Sequence, residues 1–359
     1  MKQVDYFTER NQKNIKKIRE LTRDLPDFCY DFFVGIENTT STLTRLNYAY
    51  DLRIFFNFLL EETNLLRGKT VYDITLEDLE KVSAQHIERF ISYLTSYEFN
   101  GKQITNGERG KGRKLATIRT FFKYFFKKDM LTKNVTSKVD MPKYHDKTII
   151  RLETDEVAKM INTAENGYAL LGREQAFHKH TDMRDFALIT LLLGTGIRVS
   201  ECVGLNIDDI DFSINGIKIT RKGGNQVVLY FSDEVRDALV SYVDWREQFM
   251  KDKGVPNEER ALFLSLQKKR MTTRAVELLV KKYAKAVTPL KKITPHKLRS
   301  TYGTALYRET QDIYIVADVL GHKDVNTTKK HYAAISDDIR RDAATKVKLR
   351  DVVKEEPKQ

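Results

Sequence analysis

This sequence predicts a mainly α-helical fold in two domains, with a small β-sheet or hairpin confined to the second. Three observations carry the prediction. The chain is 359 residues long, more than one ordinary domain holds and near what two require. Up to about residue 135 its apolar side chains recur at helical spacing with little else between them. Beyond that, one pair of β-rich runs, INGIKITRKGGNQVVLYF, brackets a Lys-Gly-Gly-Asn turn and interrupts an otherwise helical pattern as a hairpin does.

The elements follow in order. Residues 1–35 read as a helical extension of unassigned role. Residues 36–135 read as a helical bundle with three amphipathic stripes. Leu52, Phe55, Phe56, Leu59 and Leu60 form the first, and Ile87, Phe90, Ile91 and Leu94 the second. Leu115, Ile118, Phe121, Phe122 and Phe125 form the third. Residues 136–150, around Pro142, carry no stripe and read as an extended linker. The second domain, 151–359, opens on RLETDEVAKMINTA, with Thr154 expected as N-cap and Asp155 and Glu156 in the first turn. Carboxylates are favoured there by the positive end of the helix dipole. Glu165–Asp185 lacks clear periodicity and reads as a surface insertion of unassigned role. FALITLLLGTGIRVSECVGL reads as a buried helix, a glycine turn and the start of another helix. After the hairpin helices run to the end, the last a tail helix with Ile335, Ile339, Ala343 and Val347 four apart.

Composition narrows the class. Hydrophobic residues make up 41% of the chain, with 19 Phe and 17 Tyr, which is enough for two packed cores and argues against disorder. Lys and Arg outnumber Asp and Glu by 62 to 50, for a net charge of +12. That balance points to a polyanionic partner, nucleic acid ahead of membrane surface. Cys29 and Cys202 have no metal-ligand spacing and cannot build a disulfide framework. No apolar run approaches the ~20 residues of a membrane helix, and MKQVDYFTERNQKNIKK lacks a signal-peptide core. A cytoplasmic protein without membrane contact is expected.

The third stripe belongs to the most basic stretch of the first domain. Gly101–Met130 holds nine Lys or Arg against two acidic residues. Arg119, Lys123 and Lys127 recur every fourth residue, which places them together opposite the aromatic stripe. With Arg113 and Lys114 of the preceding GERGKGRK, they are the candidates for following a phosphate backbone.

Four features of the second domain put charged or polar groups where a core has no use for them. Arg198 follows the glycine turn of GTGIRVSEC, and Glu201, three residues on, can hold its guanidinium in one orientation. Lys222 begins the tight turn of the hairpin. In ITPHKLRSTYGTAL, Thr294 caps a helix, Pro295 takes its first position, and His296 and Arg299 share a face near its positive end. In LGHKDVNTTKKHY, His322 sits where a helix finishes at Gly321, and Tyr332 follows ten residues later.

In order and spacing, Arg198, Lys222, His296, Arg299, His322 and Tyr332 resemble the tyrosine recombinase (phage integrase) family, within which the domains look most like Xer-type recombinases and mobile-element integrases. The resemblance covers most of the chain. It implies an N-terminal core-binding (SAM-like) domain and a C-terminal mixed α/β catalytic domain that together clamp DNA. It also implies site-specific exchange of DNA strands through a covalent 3′-phosphotyrosyl intermediate, with Tyr332 as nucleophile. Two departures stand out. Ser300 follows Arg299 where many relatives carry a second histidine, and His331 sits beside Tyr332, though the LGH context favours His322. The partners implied are a double-stranded DNA site with inverted-repeat arms and further copies of the chain, two per site and four at synapsis.

The chemistry fits these residue types. Arg198 and Arg299 remain protonated and can neutralise the charge that gathers on the non-bridging oxygens of the transition state. A free tyrosine ionises near pH 10, so cations beside Tyr332 and a proton acceptor, His296 or His322, are needed. Lys222 is the candidate general acid for the 5′ oxygen. No Asp/Glu cluster resembles a metal site and no GxxxxGK[ST] loop is present, so no cofactor is expected. Two other functions use the same fold. A type IB topoisomerase-like enzyme would relax supercoils, and a non-catalytic regulator would only bind DNA. Nothing in the residues separates chromosome-dimer resolution from integration or excision of a mobile element.

Overall fold

The structure, a computed structural model, describes residues 5–145, 149–221, 224–251, 260–322 and 324–325. Lys222, Tyr332 and the tail helix expected after it lie outside the described residues. The chain forms two compact units, residues 1–147 and 148–359.

In the first unit α1 (Tyr6–Thr22), α2 (Cys29–Gly35), α3 (Thr42–Glu61), α4 (Leu76–Glu80) and α5 (Ala84–Tyr93) precede a hairpin. Its strands are β1 (Ser96–Phe99) and β2 (Lys102–Thr105), and α6 (Glu108–Lys127) follows. The aromatic stripes meet edge to face. The Phe32 and Phe121 rings lie 5.0 Å apart, those of Phe55 and Phe90 5.1 Å, and those of Phe121 and Phe125 5.1 Å, spacings at which the ring quadrupoles attract. Residues 18–33 of the expected extension are part of this core, since Ile18, Leu21, Leu25, Cys29, Phe32 and Phe33 are all buried in it. So is the first part of the expected linker, through the buried Val139 and the partly buried Met141. The β1–β2 hairpin is an addition to the helical reading. Asn100 and Gly101 turn it with φ of 52° and 69°, the left-handed pair that a two-residue hairpin loop demands.

The second unit contains α7 (Thr154–Asn166), α8 (Arg173–His178), α9 (Asp182–Thr195) and α10 (Val199–Cys202). A three-stranded antiparallel sheet follows, β3 (Ile210–Asp211), β4 (Gly216–Thr220) and β5 (Gln226–Tyr230), in that order across the sheet. Then come α11 (Asp233–Lys251), α12 (Thr273–Val287), α13 (Pro295–Thr310) and α14 (Ile313–Leu320). The N-cap of α7 is Glu153, not Thr154, because Glu156 reaches back to the Glu153 amide at 2.8 Å. Helix α9 is the buried centre, with α7, α11 and α13 packed on it. Ala187, Leu188, Ile189, Leu191 and Leu192 are almost wholly inaccessible, as the unbroken apolar run requires.

Glu165–Asp185 is exposed along Leu171–Phe177, as a surface segment is, but its remaining parts enter the fold. It holds the end of α7, all of α8, the start of α9 and a buried polar network. Asp185 is 1% exposed and accepts from Arg184 at 2.7 Å, Lys282 at 2.9 Å and the Tyr283 hydroxyl at 2.9 Å. The His178 ring in turn bonds that hydroxyl at 2.9 Å. Burial by itself raises the Asp185 carboxyl, but Arg184 and Lys282 outweigh it and hold the group below the usual carboxylate value.

Candidate active site

The site assembles at the carboxyl end of α14. Gly321 ends that helix in the left-handed conformation, φ 62°. Its amide bonds the Asp318 carbonyl at 2.8 Å and the His322 amide bonds the Ala317 carbonyl at 2.9 Å, the paired arrangement of a Schellman motif. A helix leaves its last carbonyls without intrahelical donors and carries partial negative charge there. Three guanidiniums take up these carbonyls. Arg198 Nη2 donates to Gly321 at 2.9 Å, Arg299 Nη2 donates to Leu320, and Arg221 Nη2 donates to Val319 at 2.8 Å and Nη1 to Asp318 at 3.3 Å.

Each arginine arrives for a local reason. Gly196 turns the chain after α9 with φ 61°, and a Cβ there would meet the Tyr302 ring at 2.5 Å. Glycine therefore serves both the turn and the close approach of α13. The same Gly196 carbonyl accepts from Arg299 Nη1 at 2.6 Å, so Arg299, 5% exposed, is held from two sides. Arg198 is the N-cap of α10. The buried Glu201 carboxylate accepts its amide at 3.0 Å and its Nη1 at 2.9 Å, and the guanidinium is thus aimed before any ligand is present.

Arg198, Arg299 and His322 are therefore brought together, with Glu201 behind Arg198. His296 lies one turn before Arg299 at the exposed start of α13. It lines an open groove with Val199, Arg274, Glu277 and Lys281, beside the cap that Arg198 forms. Arg221 was not among the sequence candidates. Its only sequence signal was its place beside Lys222, and its partners lie nearly a hundred residues further along the chain.

Neighbouring nucleophile types are kept protonated. Burial pushes the Cys202 thiol up to about 12 and raises the Tyr302 phenol above its ordinary value, which disfavours the ionised form of each. Among the described residues no group of three or more His, Cys, Asp or Glu is placed to hold a metal ion. Among the same residues no helix is long and apolar enough to cross a membrane.

In the first unit the basic face of α6 needs correcting. Arg113 forks onto Asp51 at 2.6 and 2.8 Å, leaving half its side chain exposed. Lys114 is 6% exposed, its ammonium on the Asn106 side chain at 2.9 Å, and burial lowers its pKa. Arg119 turns to the Val139 carbonyl. Lys123 and Lys127 are exposed. A step of four residues drifts by roughly 40° around a helix, so Arg119 falls away from the line through Lys127. The exposed face instead carries Arg109, Arg113, Lys123 and Lys127.

Comparison with known proteins shows which family this chain is similar to. Residues 150–338 match the phage integrase family. Tyrosine recombinase XerC of Caldanaerobacter subterraneus subsp. tengcongensis is 32% identical over 312 residues, 83% of this chain and 80% of that protein. Tyrosine recombinase XerS of Streptococcus agalactiae is 28% identical over 348 residues, 90% of this chain and 96% of that one. The XerH site-specific recombinase bound to a palindromic difH substrate shares the fold, with a TM-score of 0.63 at 17% identity over 85% of this chain and 80% of that one. So does a lambda integrase tetramer bound to a Holliday junction, with a TM-score of 0.56 at 14% identity over 84% of this chain and 75% of that one.

Proposed function

This chain belongs to the phage integrase family, and on that premise we propose that it is a site-specific DNA recombinase that cuts and rejoins strands through a 3′-phosphotyrosyl intermediate. The observation that carries the reading is the convergence of Arg198 and Arg299 on the end of α14, beside His322 and ten residues before Tyr332.

Tyr332 attacks the scissile phosphorus. Its phenolic oxygen forms the new P–O bond and its proton passes to His296 or His322. Arg198 and Arg299 stabilise the charge on the non-bridging oxygens. Both are fixed by backbone carbonyls and Glu201, so no reorganisation is required as that charge develops. The bond to the 5′ oxygen breaks, and Lys222 supplies the proton that makes it a hydroxyl. The phosphotyrosyl ester keeps the energy of the broken bond. Rejoining is the reverse reaction, and it calls for neither a metal ion nor ATP.

We assign Arg113, Lys123 and Lys127, with Arg109, to phosphate contacts of the first unit, and Lys114 and Arg119 to support of its fold. The substrate is double-stranded DNA with inverted-repeat arms. Copies of the chain pair on one site and form a tetramer at synapsis, the state named for the lambda integrase complex. These events take place in the cytoplasm. The Xer relatives favour strand exchange over supercoil relaxation or DNA binding alone.

Tyr332→Phe tests the assignment on a nicked suicide substrate resolved on a denaturing gel. The variant binds DNA with unchanged affinity and forms no covalent adduct. An adduct that survives the substitution places the nucleophile elsewhere.

A further inference from the structure

The hairpin of the second unit is tied at both ends of its turn by Arg221. The Arg221 amide donates to the Asn225 carbonyl at 2.8 Å, and the Arg221 carbonyl accepts from the Gly224 amide at 3.1 Å. The chain between these bonds carries Lys222. The Arg221 side chain runs in another direction, to α14. Its Nη2 donates to the Val319 carbonyl at 2.8 Å and to Asp318 at 3.4 Å, and its Nη1 to Asp318 at 3.3 Å. The guanidinium also lies close against the backbone of Gly321. A Cβ at that position would meet Arg221 Nη1 at 2.3 Å and Cζ at 2.5 Å. One residue therefore joins the turn before Lys222 to the helix end before His322.

We propose that Arg221 is a positioning residue for strand cleavage, one that fastens the β4–β5 turn to the carboxyl end of α14. The inference rests on the reading of Lys222 as general acid. The chemistry explains why such a fastening matters. A proton donor on a separate hairpin from the arginine pocket delivers its proton only if the two move as one piece. A misplacement of about 1 Å costs on the order of 10²-fold in rate. Arg221 suits this task because a planar fork on two successive carbonyls fixes direction as well as distance, where a lysine ammonium fixes distance alone. The end of α14 suits it as an anchor, since Arg198 and Arg299 hold the adjacent carbonyls. The acid's support and the phosphate-binding arginines then share one rigid base.

A fastening that serves the general acid has a signature that simple support of α14 lacks. In cleavage of ordinary DNA the tyrosine oxygen bonds to phosphorus, the P–O5′ bond breaks, and the ammonium proton passes to O5′, leaving a neutral amine. With sulfur at the 5′ bridging position, the P–S bond breaks and the thiolate leaves without a proton, because a thiol is acidic near pH 8.5. The general acid, and whatever positions it, becomes dispensable.

The experiment compares Arg221→Ala, Arg221→Lys and Lys222→Ala of the full chain on suicide DNA with oxygen or sulfur at the 5′ bridge. Arg221→Ala is expected to cleave the oxygen substrate ~10²-fold more slowly, with DNA affinity unchanged, and to cleave the sulfur substrate within a few-fold of the parent chain. Arg221→Lys falls between. An unchanged rate on oxygen overturns the proposal, and so does an equal loss on both substrates, which would mean that Arg221 supports the arginine pocket or the fold. Lys222→Ala reports separately on the acid. If sulfur does not restore it, the general-acid reading fails. Amide exchange then decides the fastening by itself. Faster exchange across residues 216–230 in Arg221→Ala retains it, and unchanged exchange overturns it.

Discussion

Glu201 shows how one side chain serves structure and chemistry together. Its carboxylate is 4% exposed and spends both oxygens on Arg198, one on the amide and one on the guanidinium. Glu201→Ala removes a charged hydrogen-bond partner, at a cost of about 1–3 kcal/mol. The lower part of that range applies, because the Arg198 side chain is 36% exposed and water screens the pair. The larger effect falls on catalysis, where a guanidinium without its brace loses ~10²-fold in adduct formation. Thermal unfolding and suicide-substrate kinetics, run side by side, separate the two losses. This pairing was legible in the sequence because both partners lie within one helical turn. Arg198 with Gly321, Arg299 with Gly196 and Arg221 with Val319 were not, since no local spacing encodes bonds between residues so far apart along the chain.

At the level of single elements, α6 and the Asp185 network make opposite demands on charge. The exposed cations of α6 are expected to act through counterions. Charge reversal of Lys123 and Lys127 lowers the log–log salt slope of DNA binding by roughly 0.9 for each phosphate no longer neutralised. Arg119→Glu instead destabilises the first unit, because the Arg119 guanidinium is bonded to the Val139 carbonyl inside it. A salt titration of binding with a urea melt of each variant checks both outcomes. The amphipathic stripes of α3, α5 and α6 were readable because their aromatic residues recur at helical spacing. Arg119 was misplaced because a four-residue repeat does not run straight along a helix. The Asn-Gly of the β1–β2 turn carried a hairpin signal, masked by the helices on either side.

Asp185 gives the second unit its own dependence on pH. The folded pKa is lowered, so the stabilisation it brings is complete above the unfolded value near 3.9 and is lost as pH falls through the folded value. Asp185→Asn leaves Arg184 and Lys282 buried without a counter-charge, a loss of about 3–5 kcal/mol at neutral pH. That difference from the parent chain should narrow as pH falls below about 4, where the unfolded parent takes up a proton that the folded carboxylate still resists. Urea midpoints at pH 7, 5 and 3.5 measure it, and a gap constant across the three would assign the network to packing alone.

On the scale of the whole molecule, the first unit closes its own core. Among the described residues, every buried member of its cluster lies between Ile18 and Val139. A fragment of residues 1–147 is therefore expected to unfold in one cooperative transition and to bind DNA without cutting it. Circular dichroism melts and gel shifts on the isolated fragment check this. The two-part organisation was legible from length, stripes and the single β-rich pair, whereas the placement of the boundaries depended on which residues 136–150 and 165–185 buried. Gly321 and its three guanidiniums carry a consequence for how such a chain can change over generations. Arg198, Arg221 and Arg299 complete the end of α14 whether or not a strand is ever cleaved, so a descendant that had abandoned recombination would still lose stability by shedding them. Tyr332 and Lys222, whose assigned roles are chemical alone, would be free to drift first. A lineage of silent relatives would keep its arginines and glycine as a fossil of the pocket, and the loss of activity would be written in the tyrosine and the lysine.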